Sequence, residues 1–134
     1  MADAGPLYAY VDADDGHHAE SLRLLQEHRG PILVPVLVIT EVAYLLATRL
    51  GVTAEVRFLG DLASGTLTPL EVDPADWLRI AELVKKYADL PLGTVDASLI
   101  AAAERLAVTA IATFDRRHLG VVRPHHVAVF DLVP

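Results

Sequence analysis

The sequence predicts an α/β fold, with a parallel sheet and helices on both faces. Three observations predict it. Short apolar runs alternate with longer runs of helical spacing along the whole chain. The apolar class supplies 53% of the 134 residues, enough to bury a real core. No repeat, low-complexity tract or linker interrupts the alternation, so residues 1–134 read as one domain.

The elements follow in order. A first short strand ends near Asp3, and Gly5-Pro6 opens a helix, because proline suits a first helical turn. Helical spacing continues over residues 16–29, with Leu22 and Leu25 on one face. Ile32 to Val34 reads as a second strand. Pro35 closes it and opens an apolar helix to about Leu50, stopped by Gly51. A helix over 53–64 ends at Gly65, and Leu67 to Val72 reads as a strand. Asp73-Pro74 starts a helix that runs to about Ala88. Thr94 caps a helix over 95–107, Val108 to Thr113 forms a fourth strand, and Val127 to Val133 holds a fifth.

Composition narrows the chemistry. There are no cysteines, which excludes disulfides and thiolate zinc sites and points to a reducing cytoplasm. Met1-Ala2-Asp3 lacks a basic start and an apolar signal core, so secretion is not expected. The apolar stretch Pro31 to Ala47 holds two prolines and Glu41 and is short for a bilayer span, so no membrane is expected. The net charge of −7 sits awkwardly with nucleic-acid binding. Clustered acids that bind metal would reverse the local sign, and a basic partner would also answer it.

In sheets of this kind ligands bind beyond the carboxyl ends of the strands. Asp3 ends the first strand, Glu41 lies on the helix leaving the second, Asp96 lies in the first turn of the helix before the fourth, and Asp115 follows the fourth. Each has a plainer role open to it. Asp3 and Asp115 suit turns, and Asp96 suits a helix N-terminus. Glu41 is the hardest to dismiss. Val38, Ile39, Val42, Ala43, Leu45 and Leu46 surround it, so a buried carboxylate without a basic neighbour is expected there. Carboxylates and water suit Mg²⁺ or Mn²⁺ rather than zinc. The pairs His17-His18 and His125-His126 lack zinc spacing and read as surface or loop histidines. A divalent ion held by acids suits phosphodiester hydrolysis, which then needs no side-chain nucleophile. The sequence shows neither a nucleophile elbow nor a P-loop.

Four segments carry a family resemblance. They are Asp3-Ala4-Gly5-Pro6-Leu7, Thr40 to Leu46, Asp89 to Gly93 with Asp96 to Ala101, and Ala112-Thr113-Phe114-Asp115-Arg116-Arg117-His118-Leu119. In order and spacing they resemble the PIN-domain family, and within it the VapC-type toxin ribonucleases. The resemblance implies an α/β/α sandwich and Mg²⁺- or Mn²⁺-dependent cleavage of RNA. It places the family's catalytic, metal-holding acids at Asp3, Glu41, Asp96 and Asp115. Thr113 takes the place of the family's small hydroxyl residue, and Asp89 matches a less regular acid, so both are expected to support the site. Ala4 departs from the pattern, since a hydroxyl residue often stands there. The resemblance also implies a VapB-type antitoxin partner, whose arginine would enter the acidic groove, and a homodimer. Arg116, Arg117 and Arg123 are expected near the site edge, where they would hold RNA phosphates or pair with neighbouring acids.

Two other classes compete. A phosphoacceptor receiver module also gathers acids at strand ends, but it needs a lysine after the last strands, and the only lysines are Lys85 and Lys86. A catalytically inactive PIN-like binding domain would not be expected to keep all four acids.

Overall fold

The computed structural model describes residues 1–134. The expected α/β/α architecture forms, on a smaller sheet than the apolar runs predict. The helices are α1 (Ala4–Val11), α2 (His18–Glu27), α3 (Val36–Arg49), α4 (Val52–Ala63), α5 (Asp76–Lys86), α6 (Thr94–Arg105) and α7 (Arg116–Leu119). The strands are β1 (Leu33–Pro35), β2 (Thr68–Leu70), β3 (Ala110–Ala112) and β4 (Asp131–Val133).

β1 pairs with β2 and β3 pairs with β4, both in parallel. The N-terminal residues join the two pairs. Ala2 bridges Ala112 in parallel, its N–H donates to the Leu33 carbonyl at 2.9 Å, and the Asp3 N–H donates to the Ala112 carbonyl at 2.9 Å. The spatial order is therefore β2, β1, the N-terminal segment, β3, β4. The chain winds outward to one side through β1 and β2. It then crosses back through α5 and α6 to the other side. The N-terminal segment and β3 are neighbours whose chains diverge after the sheet, which is the place where such folds open a crevice.

The strands are short for identifiable reasons. Just past α6, Ala107 takes a φ of 54° that turns the chain sharply, and β3 begins only at Ala110. β4 has no longer partner, so residues 127–130, expected as strand, are irregular and Phe130 plugs the core instead. Asp12 accepts from the Asp14 N–H and Asp15 from the His17 N–H, so residues 12–17 form turns and α2 starts only at His18. Gly93, not Thr94, occupies the cap position of α6.

The core is one cluster that includes Leu7, Val34, Val38, Leu46, Phe58, Leu83, Leu99, Ile100 and Ile111. α6 lies deepest, with every residue from Ala97 to Ala103 buried. α3 differs from expectation. Its buried face is Val38, Val42 and Leu46, while Glu41 is exposed and Tyr44 is 69% exposed. The helix is largely apolar but packed on one side only. No helix is long and apolar enough to cross a membrane.

Candidate functional site

Asp3 ends the N-terminal strand segment and caps α1. Its extended backbone, φ −90° and ψ 170°, turns the chain into the helix, and one carboxylate oxygen accepts from the Ala4 N–H at 2.7 Å. The other accepts from the Thr113 hydroxyl at 2.8 Å. Thr113, one residue beyond β3, is buried, and its Oγ1 also accepts from the Asp115 N–H at 3.0 Å. One hydroxyl thus ties together residues that are 110 positions apart in the chain. It fixes the two edges of the crevice to each other.

Asp115 caps α7. One oxygen accepts from the N–H groups of Arg117 and His118, each at 3.1 Å. Its other oxygen lies 2.8 Å from Nδ1 of His118, and the same nitrogen lies 3.6 Å from Asp96 Oδ2. His118 therefore stands between Asp96 and Asp115. Glu41 projects from α3 at the rim. Asp3, Glu41, Asp96, Asp115 and His118 line one open groove of about 390 Å³, together with Tyr8, His17, Arg49 and Phe114.

Electrostatics show how tightly the acids crowd. Burial pushes the Asp3 carboxyl above the ordinary range, against the Thr113 and Ala4 hydrogen bonds that lower it. Glu41 is also raised, first by loss of water around its head and then by Asp3. Asp96 is raised to about 6, by burial first and then by Asp3, with His118 pulling the other way and Asp115 and Glu41 adding to the rise. Asp96 thus feels the negative charge of the other three acids.

No three His, Asp or Glu side chains stand close enough to share one ion. Mg²⁺ asks for less, because it keeps several waters and takes one or two carboxylates directly. Carboxylate oxygens are the donors that suit Mg²⁺ or Mn²⁺. Burial and mutual repulsion disfavour the charged form of three of these acids, and a cation would relieve both. The residues fit a hydrated divalent ion.

This crowding has a measurable consequence. A carboxyl whose folded pKa lies above its unfolded value leaves the folded state holding the extra proton, so stability falls as pH rises through that interval. For Asp96 the interval runs from 3.8 to about 6. After discounting for solvent screening, the loss is about 1–2 kcal/mol. Asp3 and Glu41 act in the same direction. Urea unfolding in EDTA is expected to show this decline across the interval, and millimolar Mg²⁺ to reverse it above the interval. A flat profile, or no response to Mg²⁺, would count against a shared acidic centre.

Other expected residues lie elsewhere. Asp89 is exposed on the turn after α5 and does not line the groove. The Arg116 guanidinium is spent on the carbonyls of Leu132 and Pro134, tying α7 to the end of β4. The Arg123 guanidinium donates to the carbonyls of Gly120, Val121 and Val122 at 3.1–3.2 Å. Arg117 is exposed, and neither it, Arg116 nor Arg123 lines the groove. The arginine that does is Arg49, whose guanidinium lies 5.3 Å from the Tyr8 ring centre. Sequence reasoning missed Arg49, His17 and His118. A signal existed for His118, because a capping aspartate brings the residue three positions later back over itself.

The comparisons agree with this architecture. The PIN-domain family model matches residues 1–123. Ribonuclease VapC26 of Mycobacterium tuberculosis (strain ATCC 25618 / H37Rv) is 34% identical over 134 residues, covering 100% of this chain and 99% of that protein. The crystal structure of Mycobacterium tuberculosis VapC20, described there as a toxin that cleaves the sarcin-ricin loop, superposes with a TM-score of 0.84. It covers 99% of this chain and 98% of its own at 18% identity, a likeness of fold alone. With the model match over most of its length and a full-length relative, this chain belongs to the PIN-domain family, within it to the VapC type.

Proposed function

We propose that this protein is a metal-dependent endoribonuclease and the toxin of a type II toxin–antitoxin pair, hydrolysing RNA phosphodiester bonds at the four-acid groove. The carrying observation is that Asp3, Glu41, Asp96 and Asp115, from four separate segments, line one groove at the crevice of the sheet. The VapC26 relative, named a ribonuclease, supports the same reading.

Bound Mg²⁺ or Mn²⁺ would supply a water of lowered pKa and neutralise charge developing on the phosphate. The chain's own residues do the rest. Asp3 is held rigid by Ala4 and Thr113 and presents its carboxylate at the groove floor. Asp96 and Asp115 flank His118, whose Nδ1 lies 2.8 Å from Asp115 and 3.6 Å from Asp96. Glu41 adds negative charge at the rim. Arg49 brings the cation that the acids lack and suits a backbone phosphate. The whole chain, residues 1–134, works as one domain in the cytoplasm. A VapB-type antitoxin inserting a basic side chain among the acids would inhibit it. A homodimer is part of the reading, and the exposed Val52, Val56 and Leu59 of α4 suit a protein contact.

Purified protein is expected to cleave single-stranded RNA with Mg²⁺ or Mn²⁺ and to stop in EDTA. Absence of metal-dependent cleavage across transfer, ribosomal and messenger RNA would overturn the reading. Arg49→Gln is expected to raise KM about tenfold with kcat little changed, the signature of a lost ground-state phosphate contact. Arg49 is exposed at the end of α3, so the fold should be unaffected. An unchanged KM would remove Arg49 from the RNA path.

A further inference from the structure

The His17 imidazole stacks on the Phe114 ring, with centroids 4.1 Å apart and planes at 25°. Both residues line the groove beside the acids. Phe114 lies between Thr113 and Asp115, so the backbone that places those two also fixes its ring. The His17 side chain is outermost and 58% exposed. The backbone N–H of His17 donates to Asp15 Oδ1 at 2.8 Å, and the ring Nδ1 lies 3.3 Å from Glu20 Oε2.

A capping role does not explain this histidine. His17 occupies the cap position of α2 but its side chain makes no capping hydrogen bond to the helix backbone. Serine, threonine, aspartate or asparagine would serve the helix better there. What the position does provide is a flat, solvent-facing ring on a fixed aromatic support. Unpaired RNA bases are recognised on such surfaces. Stacking also addresses the charge problem. A chain of net charge −7 gains little from counterion release, whereas a π-face binds a base without positive charge.

Resting on the ribonuclease reading for its substrate class, we propose that the exposed face of His17, backed by Phe114, is a stacking platform for an unpaired RNA base next to the bond that is cut. The platform holds the strand by a base while the neighbouring phosphate lies over the acids. It thereby favours loops and single strands over duplex, whose bases are already stacked.

The test uses the full chain with a short unpaired RNA pool carrying a fluorescent purine analogue that is quenched by stacking. Binding is read with Ca²⁺ in place of Mg²⁺, separately from cleavage. Wild type is expected to quench the analogue, and His17→Ala to weaken binding about tenfold and abolish the quenching. His17→Phe and His17→Trp are expected to restore both, although neither can keep the Glu20 contact. The platform's contribution should change little between low and moderate salt, unlike a phosphate contact. Wild-type binding by His17→Ala, absence of quenching in wild type, or failure of both aromatic variants to rescue would each overturn the proposal. Quenching without metal-dependent cleavage would instead count against the ribonuclease reading alone.

Discussion

Asp96→Asn is expected to lower Mg²⁺-supported RNA cleavage by more than about 100-fold while leaving the protein as stable as wild type, or slightly more so. Residues that merely orient metal ligands typically cost 10–100-fold when lost, so a direct participant should exceed the upper end of roughly that range. The stability side is a balance of two effects. Asp96 sits in the first turn of α6, where its negative charge gains about 0.3–1 kcal/mol from the helix dipole. Against that, burial and the neighbouring acids hold its pKa at about 6. Relieving that penalty is worth about 1–2 kcal/mol at neutral pH after screening. The second effect wins in metal-free buffer. The amide keeps the shape of the side chain, so lost activity with a retained or raised melting temperature marks a functional carboxylate. Cleavage at the wild-type rate would exclude Asp96 from the chemistry and the four-acid site with it.

Asp3, Asp96 and Asp115 were legible because each lies at or near a change of element. A polar residue where an apolar run ends is visible in one dimension, and a parallel sheet brings such ends together. Asp3, Thr113 and Asp115 follow that logic to the hydrogen bonds that join them. The reading of Glu41 failed in part because an apolar neighbourhood in sequence is not a buried one. α3 is largely apolar, yet only Val38, Val42 and Leu46 are buried in the core. The arginines were less legible still. Arg116 and Arg123 go to backbone carbonyls near the end of β4 and the end of α7, acceptors that exist only once the chain has folded. Arg49 reaches the groove because α3 runs beside α1, a packing choice that its own spacing does not record. His17 comes back to the groove through the turns of residues 12–17, where helical periodicity had implied a continuous run.

Thr113→Val is expected to cost activity about 10–100-fold and stability about 1–3 kcal/mol. Valine matches threonine in shape but removes both hydrogen bonds. Asp3 loses the donor to its second oxygen, and the Asp115 N–H loses its acceptor. Asp3 and Thr113 are both buried, so water replaces neither partner readily. The pH profile separates this from a general loosening of the fold. The Thr113 hydroxyl lowers the Asp3 pKa against the burial that raises it, so its removal lets that pKa climb further. A larger share of Asp3 is then protonated at a given pH, and the deficit should deepen in acid and shrink as pH rises. Thr113→Ser, which keeps the hydroxyl and loses only a methyl group, should recover most of the activity. A valine variant whose deficit is the same at every pH, or a serine variant as poor as valine, would mean that Thr113 only packs. The crevice would then be held together by something other than this hydroxyl.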